Sequence, residues 1–246
     1  MYPQKPDKHA HQAFISPEKA FLFQKRLGRI PAMEPPKRMI LCYQGSFMDR
    51  ILENYEGNFL TGTFRTVYSL RNFPDTAIVN LGPGAPRAVY KTEYYIAWGV
   101  KEFVSIGTAG AISKELKQGD LVLCDRAIRD EGTSHHYLPP GKYAYPTDAG
   151  ALAQKMSPTP HRAGTSWTLD AFFRHTKEEI AHYQNEGVLT VEMEASALFA
   201  VAATRNVSMS AAFVISDLLT GDEWEPHFHS DPVENGLDQL LQIALS

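Results

Sequence analysis

The chain has 246 residues, 43% of them hydrophobic, and a formal net charge of −4, which suits one large α/β domain with a sizeable core. The acidic balance, with no basic run, argues against a nucleic-acid partner or an anionic membrane surface. Of its two cysteines, Cys42 and Cys124 both sit in apolar runs, so buried reduced thiols are expected rather than a disulfide or metal role.

No apolar stretch approaches the ~20 residues that cross a bilayer. The first residues, Met1 to Pro6, lack the apolar segment of a signal peptide, so a cytoplasmic protein is expected. Residues 1–37 form a polar arm punctuated by Pro3, Pro6, Pro17, Pro31, Pro35 and Pro36; residues 38–246 form the main domain. Within the arm, Ser16-Pro17-Glu18 has the signature of a short helix start, a capping residue followed by proline.

From Arg38 onward, strand-like runs alternate with helical segments. Strands are predicted at Met39–Tyr43, Thr76–Leu81, Glu102–Ile106, Asp120–Cys124, His161–Thr165 and Met209–Ile215. Several are nearly continuous in apolar residues, as strands covered on both faces should be. Helices are predicted near 86–98, 147–156, 177–186, 193–205 and 232–245. Gly57–Leu70, rich in Thr, Phe, Val and Tyr, is predicted as a strand pair. This alternation implies a three-layer α/β fold, a central twisted, mostly parallel mixed sheet flanked by helices.

Ligands of such folds bind beyond the carboxyl ends of the strands, which selects four segments. They are Tyr43-Gln44-Gly45-Ser46, Leu81-Gly82-Pro83-Gly84, Ile106-Gly107-Thr108-Ala109-Gly110 and Ile215-Ser216-Asp217. The two glycine turns let backbone N–H groups converge on an anion or a sugar, or they are simply tight strand-to-helix turns. Glu192 and Glu194 enter Ala195–Ala203, a run apolar on nearly every face and so expected to be buried. One acid there can cap the helix; capping does not need two. A carboxylate also accepts the paired hydroxyls of a ribose, one O–H per oxygen. Asp217, after Ala211–Ile215, is either a desolvated general acid or the cap of a helix starting at Leu218. His135-His136 and His227-Phe228-His229 lack the further ligands of a metal-site pattern, so neither metal nor cofactor is expected.

Taken in order, these segments resemble the nucleoside phosphorylase superfamily, which includes purine nucleoside phosphorylases, uridine phosphorylases and related nucleosidases. The resemblance runs from about Arg38 to the C-terminal helix. It is carried by Val104–Ile112, Gly119-Asp120-Leu121-Val122, Val191-Glu192-Met193-Glu194-Ala195 and Ile215-Ser216-Asp217. It implies that Glu194 binds the ribose hydroxyls, Met193 packs under the sugar and Asp217 protonates or hydrogen-bonds the base. It further implies that Phe172, Val191 and Glu192 line the base pocket and that Thr108 contacts phosphate and ribose. The segment Arg129–Tyr137 is most similar to the uridine phosphorylase branch.

Departures from the family pattern are equally specific. Ser105 stands where phosphorylases commonly carry a phosphate-gripping arginine. The early phosphate loop survives as Gly45-Ser46-Phe47-Met48-Asp49-Arg50, with its arginine displaced by one position. Gly45, Arg50, Arg87 and Thr108 are therefore the candidate phosphate ligands, and Arg65 can reach a neighbouring subunit. The glutamine and arginine that read uracil fall near Thr176 and Glu178 and are absent, which favours a purine. The expectation is an enzyme of purine salvage that cleaves a ribonucleoside with inorganic phosphate as co-substrate. A nucleosidase using water, or an idle nucleoside-binding sensor, are the alternatives. Membership also implies a homodimer, or a hexamer built from dimers.

Overall fold

The computed structural model describes residues 5, 8–221 and 223–246; Pro3 and Pro6 of the arm lie outside them. The chain runs through α1 (Pro17–Arg26), β1 (Arg38–Cys42), α2 (Gly45–Asn54), β2 (Gly57–Phe59), β3 (Val67–Leu70), β4 (Phe73–Asn80) and α3 (Ala85–Trp98). It continues through β5 (Glu102–Ala111), β6 (Leu121–Asp130), β7 (Tyr143–Ala144), α4 (Ala149–Met156), β8 (Arg162–Leu169) and α5 (Lys177–Asn185). Then follow β9 (Thr190–Glu192), α6 (Ala195–Arg205), β10 (Ser208–Leu218), β11 (Glu225–Pro226) and α7 (Asp231–Leu245).

The arm's helix starts where the sequence places it. Ser16 accepts a hydrogen bond from the Lys19 amide, and Pro17 occupies the first turn. Thr176, instead of facing a base, caps α5 in a reciprocal box with Glu179.

All strands belong to one mixed sheet. Its parallel centre is β4-β1-β5-β10, and β6-β8-β9 is a second parallel group. Antiparallel pairings of β10 with β6 and of β9 with β5 join the two groups. The strands β5, β10, β6, β8 and β9 thereby close into a ring. Alternation sorts the core. Met39 and Leu41 pack with Ala88, Tyr95, Leu198 and Phe199 of α3 and α6 on one face. Ile40 and Cys42 pack with Phe47, Ile51, Leu152, Leu237 and Leu241 of α2, α4 and α7 on the other, the period-2 consequence of strand geometry. Both cysteines are buried and unpaired. No helix among the described residues is long and apolar enough to cross a membrane.

Two elements differ from expectation. The segment after β1, anticipated as a loop, is the helix α2, whose Phe47, Met48 and Ile51 are buried. β10 runs on to Leu218, so no helix follows Asp217 for it to cap; the next helix begins at Asp231.

Candidate active site

The two glutamates at the start of α6 divide their work. Glu192 accepts from the amides of Glu194 and Ala195, both at 2.7 Å, through one carboxylate oxygen. Its other oxygen accepts from Thr168 Oγ1 at 2.5 Å and Ser166 Oγ at 3.3 Å. Burial pushes this carboxyl up, and the hydrogen bonds oppose that push. Two amides at the helix N-terminus and two hydroxyls from β8 favour the charged form against that push. Its side chain is spent on that cap, so only the backbone of Glu192 is left for the base contact that the resemblance implies.

Glu194 is the N-cap residue by position, yet its side chain caps nothing. It crosses to α3, where Oε1 accepts from the Gly84 amide at 2.5 Å. Gly84 itself has φ 108°, a left-handed conformation that glycine adopts freely and that aims its N–H outward from the turn. Only 7% of Glu194 is exposed. Burial, and then the neighbouring Glu192 charge, push its carboxyl up to about 8. Both effects penalise a second negative charge in a dry space.

Asp217 lies at a β-bulge, where β10 shifts register against β5 between Ile215 and Asp217. It is 5% exposed. Oδ1 accepts from Ser216 Oγ at 2.7 Å, and Oδ2 accepts from the indole Nε1 of Trp224 at 2.8 Å. A bulge re-aims a side chain that regular alternation would send elsewhere. Gly110 makes room for it: a Cβ there would come within 3.0 Å of Asp217 Oδ2 and 3.1 Å of Val191 Cγ1. Val191 pairs with Gly110 across β9 and β5, three residues before Glu194. The acid, the strand glycine and the glutamate motif therefore converge.

Beside them is an aromatic wall. Phe172 meets Trp224 with ring centroids 6.2 Å apart and His175 at 5.9 Å, and Trp224 meets Phe228 at 5.9 Å. Sequence reading found Phe172 but missed Trp224, which sits outside every motif; an isolated aromatic in a polar loop was the one available signal. Trp224 is 49% exposed and so stands at the mouth, over the acid.

Toward β1 the site is neutral. The Tyr43 hydroxyl bonds Ser105 Oγ at 2.6 Å, and its ring covers Gly107, where a Cβ would come within 2.9 Å of it. Burial and the Glu194 charge hold the Tyr43 phenol well above its ordinary range, hence uncharged. Gln44 Nε2 donates to Thr108 Oγ1 at 2.7 Å. Gly45 opens α2 with free space where a side chain would be.

The arginines fall apart. Arg50 points away, along α2 to α7, donating to the Glu234 carbonyl at 2.7 Å and to Asp238 at 2.8 Å, with Glu234 Oε2 at 3.1 Å. Arg87 lies over the Gly82 turn, its guanidinium 3.2 Å from a Gly82 Cβ position, and no carboxylate among the described residues pairs with it. Burial, and then the charges of Arg87 and Arg65, lower the pKa of Lys91. The uridine phosphorylase-like segment is tied up in itself. Arg129 donates to the carbonyls of Leu138, Pro139 and Gly141, while Glu131 accepts from the amides of Thr133 and Ser134 and from Ser196 Oγ.

Comparison with known proteins gives this arrangement a lineage. The sequence profile of the phosphorylase superfamily matches residues 41–244, from within β1 to within α7. A DeoD-type purine nucleoside phosphorylase of Bacillus cereus is 27% identical over 176 residues, covering 69% of this chain and 73% of that protein. The crystal structure of uridine phosphorylase from Vibrio fischeri ES114 superposes with TM-score 0.71 at 23% identity, covering 86% of this chain and 91% of the other. Purine nucleoside phosphorylase from Toxoplasma gondii, in complex with immucillin-H, gives 0.75 at 17% identity, with 86% and 90% covered. With the profile matching residues 41–244, the greater part of its length, the chain belongs to the phosphorylase superfamily.

Proposed function

We propose that this protein cleaves the N-glycosidic bond of a purine ribonucleoside, with Glu194 holding the ribose and Asp217 serving the departing base. The observation that carries this reading is the division of labour at α6. One glutamate already caps the helix, and a second, buried and held by the backbone of Gly84 and Met193 alone, is left with capacity for a ligand. Two vicinal hydroxyls are the neutral donors that such a carboxylate accepts best. Met193 leads into that position beneath the sugar.

Breaking a ribosyl C–N bond builds positive charge on the sugar and negative charge on the base. Glu194, raised to about 8 by burial and by Glu192, stabilises the first in its ionised form once ribose hydroxyls donate to it, and a proton from Asp217 neutralises the second. Asp217 engages the base once the ring displaces the Trp224 N–H. The Phe172 and Trp224 rings, with Val191, fit a flat heterocycle, and the absence of uracil-reading groups at Thr176 and Glu178 supports a purine. The acceptor of the ribosyl group is inorganic phosphate or water. Phosphate, as used by the relatives named phosphorylase, would draw on the Gly45 amide, Thr108 and Arg87.

Purine and pyrimidine ribonucleosides assayed with and without phosphate test this reading. Base release from purines is expected, and Asp217→Asn should lower turnover about 10²- to 10⁴-fold with the circular dichroism unchanged. Near-wild-type turnover by that variant would remove Asp217 from the mechanism.

A further inference from the structure

The aromatic wall does not end at the base pocket. Phe172 and Phe173 are neighbours in the turn between β8 and α5, with ring centroids 5.1 Å apart and planes nearly perpendicular, at 88°. Phe172 is half-buried and meets Trp224 and His175, whereas Phe173 stands 91% exposed. Trp224, itself half in solvent, carries the row on to the half-buried Phe228. Phe173, Phe172, Trp224 and Phe228 thus form a continuous chain of rings, and one of them holds Asp217 through its indole N–H.

Scattered exposed apolar side chains need no explanation, but a contiguous exposed set beside a pocket marks a binding surface. The turn that carries the two phenylalanines is pinned on both sides. Asp170 accepts from the Gly132 amide at 2.8 Å, the Ala171 carbonyl accepts from the Arg174 amide at 2.8 Å, and Thr176 caps α5. The backbone therefore presents Phe173 to solvent already ordered, which lowers the cost of meeting a ligand there.

A bare purine leaves this outer row wet. With the ribose on Glu194 and the base on Asp217, the glycosidic nitrogen is tied inward. The amino-bearing edge of the six-membered ring then points away from Glu194, toward the mouth where Trp224 stands. An apolar group on that amine would cover the outer rings. A substituted amine keeps one N–H, so the group adds bulk without removing the donor from the edge that meets Asp217.

We propose that Phe173, with Trp224 and Phe228, forms an outer subsite for a large apolar or aromatic substituent on the exocyclic amine of adenine, and that purine ribosides so substituted are the substrates this site prefers. The proposal rests on the N-glycosidic reading above and adds no chemical step to it. Because the substituent lies away from the breaking bond, it is held equally in the ground and transition states. Its benefit falls on KM rather than kcat.

The test is the initial rate of base release from adenosine and from 6-benzylaminopurine riboside, each with and without added inorganic phosphate. The benzyl compound is expected to have a kcat/KM about 10-fold above that of adenosine, mostly through KM. Phe173→Ala should remove about 3- to 10-fold of that advantage, and Phe173→Tyr, which keeps the ring, should retain it. Adenosine does not reach Phe173, so an equal loss on both substrates means a disturbed turn and overturns the proposal. Equal kcat/KM for the two substrates in wild type also overturns it and leaves N-glycosidic cleavage standing. If Phe173→Ala changes the oligomer in light scattering but keeps the benzyl preference, a second copy of the chain covers the ring and the subsite is refuted. No base release from either riboside overturns the underlying reading, and the proposal with it.

Discussion

Glu194→Gln separates what the site costs the fold from what it does for the ligand. The carboxyl of Glu194 rises from an ordinary 4.5 to about 8 because it is buried and because Glu192 stands beside it. The folded state therefore holds a proton between those two values that the unfolded chain releases, and stability must fall as pH rises through that window. A displacement of this size corresponds to at most about 5 kcal/mol, of which about 3 kcal/mol is lost between roughly pH 5.5 and pH 9. Glutamine keeps the oxygen that accepts from Gly84 and cannot ionise. The variant should thus gain about 3 kcal/mol on wild type across that interval, read from urea unfolding at both ends. If the two proteins' stabilities track each other over the interval, the buried-charge reasoning is wrong. The same variant should lose nucleoside binding, since an amide NH₂ cannot accept the second ribose hydroxyl. A more stable protein that no longer binds is the trade expected of an active-site residue.

Trp224→Ala should raise KM for a purine nucleoside about 3- to 10-fold through lost ring contact, measured by initial rates; an unchanged KM would take Trp224 out of the base pocket. Arg50→Ala should lower stability by about 1 kcal/mol, because the ion pairs it makes with α7 are partly exposed. Its turnover and its response to added phosphate should match wild type, and a selective loss of phosphate response would return Arg50 to the site.

The alternation of strand and helix was legible because the central stretches of β1, β4, β5 and β10 are buried on both faces and run mostly apolar there. Their far ends were not. β6, β8 and β10 run beyond the two-sided core into the ring, where Arg126, Thr168 and Asp217 can sit in a strand, so the apolar runs stop short of the strands. Helix α2 was hidden behind Gly45-Ser46, which read as a turn; the spacing of Phe47, Met48 and Ile51 was its trace. For the same reason Arg50 looked like an anion ligand. Three residues after Phe47, it shares that helix face and reaches α7 rather than the loop.

The three acids of the site show most clearly what pattern can and cannot supply. That two glutamates at one buried helix start are one more than capping requires follows from the sequence alone. Which of them caps does not, because it depends on where the Ser166 and Thr168 hydroxyls stand, on a strand some two dozen residues away. At Asp217 the sequence left capping and chemistry evenly matched. Capping is removed by a bulge and by a strand that runs past Ile215, features that carry no residue signature. With no helix following it, the acid has no cap to make. What remains is a buried carboxylate held by one serine and by an indole that a base can displace. Its surroundings, not its place in the motif, give Asp217 something to do.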